Sequence, residues 1–278
     1  MPIITISRGA KSGGIALANE LAKRLGYRCL SREIILESAR TYNIEEEVLQ
    51  AELNEVPSLW QRLTRERARY LIFVRCALLQ AAKQDRLIYH GHAGQFFLDG
   101  IRHVLKVRIV APQDQRVRAV IDEQGLDREQ ALQHIDGVDA TRKRWVKLLY
   151  DKDWSDPGLY DLTINLASMS LKGAADIVCH AVDRPDFEAT PESLQQVQDM
   201  SLECEVRAAL SSDDRLWDLP LQVSAGDGSV RVSGTVKNNE IRAAIEELVG
   251  HVKGVQKSLV ELSLLTDPVP GGGAAARD

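Results

Sequence analysis

Residues 6–26 read ISRGAKSGGIALANELAKRLG, and this stretch gives the strongest indication of the fold. A β-branched run at residues 3–6 (IITI) enters a glycine-containing loop. Apolar residues at helical spacing follow the loop as far as Gly26, which is placed to cap the C-terminus of a helix. The pattern predicts a strand, a loop and a helix. Nucleotide phosphates bind at such junctions because N–H groups of the loop and of the helix N-terminus converge on one anion.

The Walker phosphate-loop pattern, G-x-x-x-x-G-K-[ST], fits this loop poorly. Starting the pattern at Gly9 puts Gly14 in place but leaves Ile15 at the lysine position, with no hydroxyl residue after it. Arg8 and Lys11 are the cations within the loop. Two interpretations follow from the residues alone: a phosphate-binding loop, or a glycine-rich turn without a ligand.

Composition excludes several classes of protein. The 278 residues are 44% hydrophobic and 27% charged, which is typical of a globular protein. No apolar run approaches the roughly 20 residues that cross a bilayer, so we expect a cytoplasmic protein without a transmembrane segment. The net charge of −5 resides in residues 199–267, which hold 12 acidic and 7 basic residues. Residues 1–198 are balanced, so we do not expect a nucleic-acid partner.

The order of the remaining elements indicates an α/β domain. β-like stretches occur at residues 87–89, 104–110 and 161–165, and helical patterns at 57–84 and 140–150. Strands that alternate with helices predict a parallel sheet with helices on both faces.

The pattern changes after residues 184–193 (RPDFEATPES), which have two prolines and no apolar periodicity. A helix, two strands, a helix and a strand are then predicted at 202–210, 219–225, 229–236, 239–249 and 255–264. Asp227-Gly228 suits the hairpin turn between the first two strands. We therefore predict domain 1–185, linker 186–198, α+β module 199–267 and disordered tail 268–278.

Longer motifs resemble the cytidylate kinase-like family over about the first 185 residues. The family's loop typically reads I-S-R-x-x-G-S-G-G-R-E-I-A, and here residues 6–8, 12–14 and 18 match it. The resemblance continues in residues 85–117 and in 142–171, where KDWSDPGLYDLTIN (152–165) matches a family signature. It implies a P-loop kinase-like fold that uses ATP and Mg²⁺ to phosphorylate a nucleoside monophosphate such as CMP.

Residues 199–265 resemble a BON domain. The Asp-Gly-x-Val-x-Val-x-Gly pattern of that domain stands at residues 227–234, and its late Gly-Val pair is Gly254-Val255. Most BON domains are described as modules that bind lipids or other ligands, so the resemblance implies an unidentified ligand or protein partner. The acidic excess of this segment argues against an anionic membrane surface.

The kinase resemblance also implies a set of site residues. Arg142 and Arg144 correspond to the arginines of the family's lid and would act in catalysis; a solvated helix face is the structural alternative for both. Lys11 and Arg8 are the loop cations that could reach a β- or γ-phosphate, and Lys11 is the further catalytic candidate. The implied phosphate-binding loop consists of Arg8, Lys11, Ser12, Gly13 and Gly14. The implied acceptor-binding residues are Arg32, Gly91, His92 and Arg116.

This chain departs from the family at three charged positions. Ile15 replaces an arginine, Ser31-Arg32 replaces an Asp-Arg pair, and Gly91-His92 replaces a Gly-Arg pair. Each lost charge-assisted contact is worth roughly 1.5–3 kcal/mol, or about ten- to a hundredfold in rate if it acts only in the transition state. The sequence leaves open a weakened kinase and a catalytically inactive nucleotide-binding regulatory protein, with a scaffold that uses neither site as a third idea.

No metal-binding motif stands out. His90 and His92 are two residues apart on a strand end, but no third ligand is evident, so no metal site is predicted. Asp161 corresponds to a family residue at the start of a strand, yet an aspartate there is as often a cap.

Overall fold

The computed structural model describes residues 1–31, 65–91 and 93–265, with only the backbone of 65–68 and 70. Arg32, His92, residues 57–64 of the helix predicted at 57–84, and the predicted tail 268–278 lie outside the described residues. The chain divides into two compact units, Met1–Ser201 and Leu202–Asp278.

The first unit is built on a five-stranded sheet whose neighbouring strands are all parallel. The spatial order is β2, β3, β1, β4, β5. The strands are β1 (Ile3–Arg8), β2 (Arg28–Ser31), β3 (Leu87–His90), β4 (Val104–Val110) and β5 (Leu162–Asn165). Strand β1 is central and nearly all buried, which explains its continuous apolar sequence. This arrangement confirms the predicted α/β class.

Helices cover both faces of that sheet. On one face, α1 (Gly14–Leu25) and α6 (Leu171–Val182) pack against Ile4 and Ile6 in one buried cluster. On the other face, Gly94 at the start of α3 lies against Thr5, since a Cβ there would be 3.6 Å from Thr5 Cβ. The alternation of side chains along β1 separates the two faces.

Within the described residues, the first unit also contains α2 (Arg65–Ala82), α3 (Gly94–Phe97), α4 (Gln113–Gln124), α5 (Arg128–Tyr150) and the start of α7 (Pro191–Ser212). Helix α5 is 12 residues longer at its N-terminus than the pattern at 140–150 predicts. It begins at a capping box in which the side chain of Asp127 accepts from Gln130 N, and that of Gln130 from Asp127 N. No described helix combines the length and apolarity needed to cross a membrane.

The segment predicted as a linker at 186–198 differs in the structure, where α7 begins at Pro191. Ser193 N donates to Thr190 Oγ1 (3.2 Å), and Thr190 N donates to Ser193 Oγ (2.9 Å). Ser193 Oγ also lies 2.8 Å from Nδ1 of the fully buried His103, at the start of β4. A reciprocal cap and a buried tertiary contact therefore start a helix where the sequence shows two prolines and no apolar periodicity.

The second unit has a three-stranded sheet in the order β6, β7, β8. Strands β6 (Gln222–Gly226) and β7 (Ser229–Val236) form an antiparallel hairpin, and β8 (Lys257–Leu264) pairs parallel with β7. Helix α8 (Asn239–His251) starts at Asn238, whose side chain accepts from Ile241 N (2.9 Å). Residues of α7, α8 and the sheet share one apolar cluster, as expected for the predicted α+β module.

Candidate functional site

The phosphate loop, residues 8–14, connects β1 to α1. Gly13 is the N-cap of α1 and has a left-handed backbone (φ 87°), and the helix begins at Gly14. Ser12 is buried, with its hydroxyl 3.1 Å from Gly9 O and 3.2 Å from Ile109 O. This hydroxyl ties the loop to the end of β4, so the loop is fixed by a contact 97 residues away in sequence.

The glycines of the loop leave no room for side chains. A Cβ at Gly13 would lie 2.9 Å from Leu166 Cδ1, and a Cβ at Gly14 would lie 2.5 Å from Arg8 Cδ. Because an N-cap glycine ends the loop, the last glycine of a Walker pattern aligns with Gly13. The pattern therefore starts at Arg8, one residue earlier than the sequence alignment from Gly9.

Lys11 has an unusual backbone for a lysine. Its φ is +53°, in the left-handed region, where the family's typical loop has glycine. Its Nζ forms an ion pair with Glu123 Oε2 on α4. The side chain of Lys11 is thus directed towards α4 in this structure.

Asp139, on α5, contacts the loop directly. Its Oδ1 accepts a hydrogen bond from Ala10 N (2.8 Å) and lies 3.7 Å from Arg142 Nη1. Its Oδ2 forms an ion pair with Arg116 Nη2. The Asp139 side chain is 21% exposed, so this carboxylate joins a loop amide to two guanidinium groups with limited solvent screening.

The two arginines also bind loop carbonyls. Arg116, on α4, donates from Nε to Ala10 O (2.7 Å), and Arg142 donates from Nη1 to Arg8 O (2.9 Å). Together with Asp139 they leave a net charge of about +1 beside the loop. We refer to Arg116, Asp139 and Arg142 as the loop clamp.

The structure brings most of the predicted site residues together. Arg8, Lys11, Ser12, Gly13 and Gly14 form the loop, and Arg116 and Arg142 reach it through the clamp. Arg144 is exposed on α5. It follows Arg142 by two residues, which places it about 200° further round the helix, away from the loop-facing side.

Gly91 lies at the end of β3, and its environment is set by Tyr89. A Cβ at Gly91 would collide with the Tyr89 hydroxyl, and one at Gly94 would collide with the same ring. Tyr89 is fully buried. Both glycines therefore make space for one aromatic ring.

Trp154 and Tyr160 of the signature KDWSDPGLYDLTIN take part in a partly buried polar network on the α3 face of the sheet. Tyr160 Oη donates to Trp154 O (2.8 Å) and accepts from Gln95 Nε2 (3.3 Å), while Ser7 Oγ lies 3.2 Å away. Arg108 donates to Trp154 O, with its Cζ 4.8 Å from the Trp154 ring centroid and 5.4 Å from that of Tyr160. The network fixes the segment before β5 against β1, next to the phosphate loop.

Asp161 has a role in strand pairing. Its Oδ2 accepts from Lys106 N (2.7 Å), and its own N–H donates to Lys106 O (2.8 Å). Lys106 precedes the Ile109–Ser12 contact by three residues along β4, so Asp161 lies towards the opposite end of the strand from the loop. Asp161 therefore caps the start of β5 through the backbone of Lys106, as expected if it is a strand cap.

The far end of α5 is fixed by aromatic stacking. Tyr150 stacks on Phe96 of α3 with ring centroids 4.2 Å apart. Burial raises the pKa of Tyr150 to about 12, so its hydroxyl stays neutral. Within 1–31, 65–91 and 93–265, no group of three histidine, cysteine or acidic residues is arranged to hold a metal ion.

Comparison with known families agrees with this geometry. A model of the cytidylate kinase-like family matches residues 3–168, which is more than half of the chain. The chain belongs to the cytidylate kinase-like family. A BON domain model matches residues 198–257, so a BON domain follows the kinase-like domain.

Three archaeal relatives named cytidylate kinase illustrate the family's range. The protein of Methanocaldococcus jannaschii is 27% identical over 38% of this chain and 60% of its own length. That of Thermococcus kodakarensis is 27% identical over 65% of this chain and 88% of its own length. That of Pyrococcus abyssi is 28% identical over 65% of this chain and 93% of its own length.

An uncharacterized protein from Eubacterium ventriosum has a similar crystal structure. It superposes with a TM-score of 0.52 at 18% identity, covering 66% of this chain and 99% of that one. This likeness concerns the fold of the first unit.

Proposed function

We propose that this cytidylate kinase-like protein transfers a phosphoryl group from ATP to a nucleoside monophosphate of the CMP type. The observation that carries the proposal is the convergence of two arginines from separate helices, Arg116 and Arg142, on a glycine loop that starts a helix. Phosphoryl transfer requires loop amides to hold the donor and cations to balance the charge on the transferring oxygens.

The loop fits the phosphates of ATP. Helix α1 begins after the N-cap Gly13 with no side-chain cap, so its first backbone N–H groups would be left to bind an anion. The helix dipole adds to this attraction. Arg116 and Arg142 would then orient the transferred group and stabilise its developing charge, and Arg144 would contribute only if the helix turned that side to the nucleotide.

Mg²⁺, when it accompanies ATP, neutralises charge shared between the phosphates. The described residues include no dedicated set of carboxylate ligands for it, so the phosphate oxygens themselves would carry the ion. We assign no protein side chain to Mg²⁺.

The acceptor side rests on the family resemblance. Gly91 lies at the carboxyl end of β3, beside β1, where a bound monophosphate would approach the loop. We propose Arg32 and His92 as its partners. A histidine is a weaker clamp than the family's arginine because it is partly neutral at pH 7 and offers no bidentate fork.

The deciding experiment is an ATP-consumption assay with Mg²⁺, run without acceptor and with CMP, dCMP, UMP or AMP. Turnover that depends on one of these acceptors is the expected result. Thermal-shift titrations of the same nucleotides accompany it, to separate binding from transfer. A chain that neither binds nor consumes ATP contradicts the proposal.

A second function, nucleotide sensing without transfer, is favoured by Ile15. This residue is 46% exposed at the second position of α1, where the family's loop commonly has arginine. In that case the domain would bind a nucleotide and the BON domain would engage a ligand or protein partner. The variant Ile15→Arg distinguishes the two functions: a gain in phosphate transfer favours a weakened kinase, and an unchanged rate favours a sensor.

A further inference from the structure

The side chain of Arg8 lies over the first residue of α1. A Cβ built on Gly14 would be 2.5 Å from Arg8 Cδ, 2.8 Å from Cβ and 3.1 Å from Cγ. Distances below 3.0 Å do not occur between real side chains without displacement. Arg8 therefore occupies the volume that a side chain at position 14 would enter.

Position 14 is where a Walker loop has its lysine. Helix α1 begins at Gly14 after the left-handed N-cap Gly13, which fixes the alignment of the pattern with the helix. In a Walker loop, that lysine reaches the β- and γ-phosphates from the first turn of the helix. Here the first helical residue, Gly14, has no side chain, and the side-chain carbons of Arg8, at the end of β1, fill the space.

We infer that Arg8 replaces the Walker lysine as the cation that binds the donor phosphates. The inference rests on the proposed nucleotide site and identifies which residue of the loop carries the charge. Compared with a Walker loop, the cation and a glycine have exchanged positions. A Walker loop has glycine at the position of residue 8 and lysine at that of residue 14, whereas this chain has Arg8 and Gly14.

The positions of the other cations support this assignment. Lys11 extends to Glu123 on α4, and Arg116 bridges Ala10 O and Asp139. Both approach the loop from the α4 side, whereas Arg8 lies at the start of α1. Of these three cations, Arg8 is therefore the one whose side-chain carbons contact the start of α1.

The exchange changes the chemistry of the contact. A lysine ammonium is a compact charge, whereas a guanidinium can donate two parallel hydrogen bonds to phosphate oxygens. The Arg8 carbonyl also accepts from Arg142, so the residue that meets the phosphate is joined directly to α5. A phosphate bound by Arg8 would thereby be coupled to the position of the clamp.

The test moves the cation from one position to the other. Binding of ATP and of inorganic tripolyphosphate is measured by calorimetry for the full chain, for Arg8→Ala and for Arg8→Ala/Gly14→Lys. Lys23→Ala, which removes one exposed cation from the far end of α1, is the matched charge control. Melting temperatures of all variants, and of Gly14→Lys alone, report folding.

We expect Arg8→Ala to weaken both probes by about ten- to a hundredfold, the range of one charge-assisted contact. The double variant should recover part of that affinity, and Lys23→Ala should bind both probes as the wild type does. Gly14→Lys alone should melt at a lower temperature than the double variant, because only the single variant retains the collision with Arg8.

Two results overturn the inference. One is Arg8→Ala binding both probes as tightly as the wild type. The other is a double variant that melts like the wild type yet recovers no affinity, since the cation would then be present in the assigned volume without effect. A wild-type chain that binds neither probe overturns the proposed function itself and is recognised before any variant is compared.

Discussion

Two of the loops that contain left-handed residues, the β6–β7 turn and the phosphate loop, are stabilised in different ways. The β6–β7 turn places Asp227 (φ 48°) and Gly228 (φ 73°), both suited to that backbone. The phosphate loop places Lys11 (φ 53°) and Gly13 (φ 87°), of which only the glycine is suited. The hairpin turn thus has a suitable residue at each left-handed position, whereas the phosphate loop is held by the Ile109 carbonyl of β4 and by side chains of α4 and α5.

That difference shows how function constrains the backbone of a loop. A turn that only reverses the chain is free to use the residues with the lowest backbone cost. A loop that must present amides and cations to an anion accepts an unfavourable conformation and offsets it with tertiary contacts.

The largest expected effect comes from Asp139, which holds the loop from a distance. Asp139→Ala removes the acceptor of Ala10 N and leaves two arginines close together without their shared carboxylate. We expect the free energy of unfolding to fall by about 2 kcal/mol, less than for a fully buried pair because the site is partly solvated. Urea denaturation of the full chain measures the change.

The matched control for Asp139 is Asp136→Ala, an exposed aspartate on the same helix. It should change stability by less than about 0.5 kcal/mol. Equal effects of the two substitutions would mean that the clamp does not stabilise the loop, and the contrast with the hairpin would be lost.

The hairpin should respond to a change in its own residues. Gly228→Ala puts a Cβ on a left-handed residue and 2.8 Å from Gln256 Cδ, so we expect a loss of at least about 1.5 kcal/mol in the free energy of unfolding. Gly226→Ala, two residues away, has no positive φ and open space around its Cβ, so it should be nearly neutral. Thermal unfolding of both variants, followed by circular dichroism, makes the comparison; a neutral Gly228→Ala would contradict local specification.

Lys11 tests the backbone cost in the phosphate loop. Lys11→Gly and Lys11→Ala both remove the ion pair with Glu123, but only glycine adopts a φ of +53° without cost. We therefore expect the glycine variant to be more stable than the alanine variant by about 1 kcal/mol. Denaturation midpoints of the two variants decide it, and an alanine variant of equal or greater stability would show that the loop changes conformation when Lys11 is replaced.

The smallest expected effect concerns the contact between His103 and Ser193 at the start of α7. Burial lowers the pKa of His103 below its ordinary value, and the groups that face it are Asp85, the N-terminal ammonium and Ser193. The unfolded chain takes up a proton near pH 6.5 while the folded chain keeps the ring neutral, so stability is complete above pH 6.5 and falls below it. The loss between pH 7 and 6 is at most about 0.7 kcal/mol.

Melting temperatures of the wild type and of His103→Gln at both pH values isolate that contribution. The wild type should lose more stability than the variant on acidification. An identical pH dependence of the two proteins would show that His103 is not buried in a neutral form.

Much of the fold could be predicted because its signals are local. The run at residues 3–6, the capping glycine at Gly26 and the Asp227-Gly228 turn each fix an element from neighbouring residues alone. The first turns of α5 and α7 also carry local signals, in Asp127/Gln130 and Thr190/Ser193. Apolar periodicity does not predict those two starts, because it is weak in the first turns of both helices.

The candidate site was predictable in part. Its loop and two of its arginines follow from the family motif, but Asp139 was missed, although its i,i+3 spacing to Arg142 on one helix is a detectable pairing signal. The family's Ser-Gly-Gly loop already indicates that the lysine is replaced, and the start of α1 places that position at Gly14. Contacts such as Ser12 to Ile109 join residues about 100 positions apart and leave no periodic trace.

The contact between Arg8 and Gly14 has an evolutionary consequence. A lineage that carries this loop would lose stability on gaining a side chain at position 14 while Arg8 remains, because the first atom of that side chain would collide with Arg8. The more favourable route to a lysine-bearing loop therefore begins with the loss of Arg8. An intermediate on that route lacks both cations.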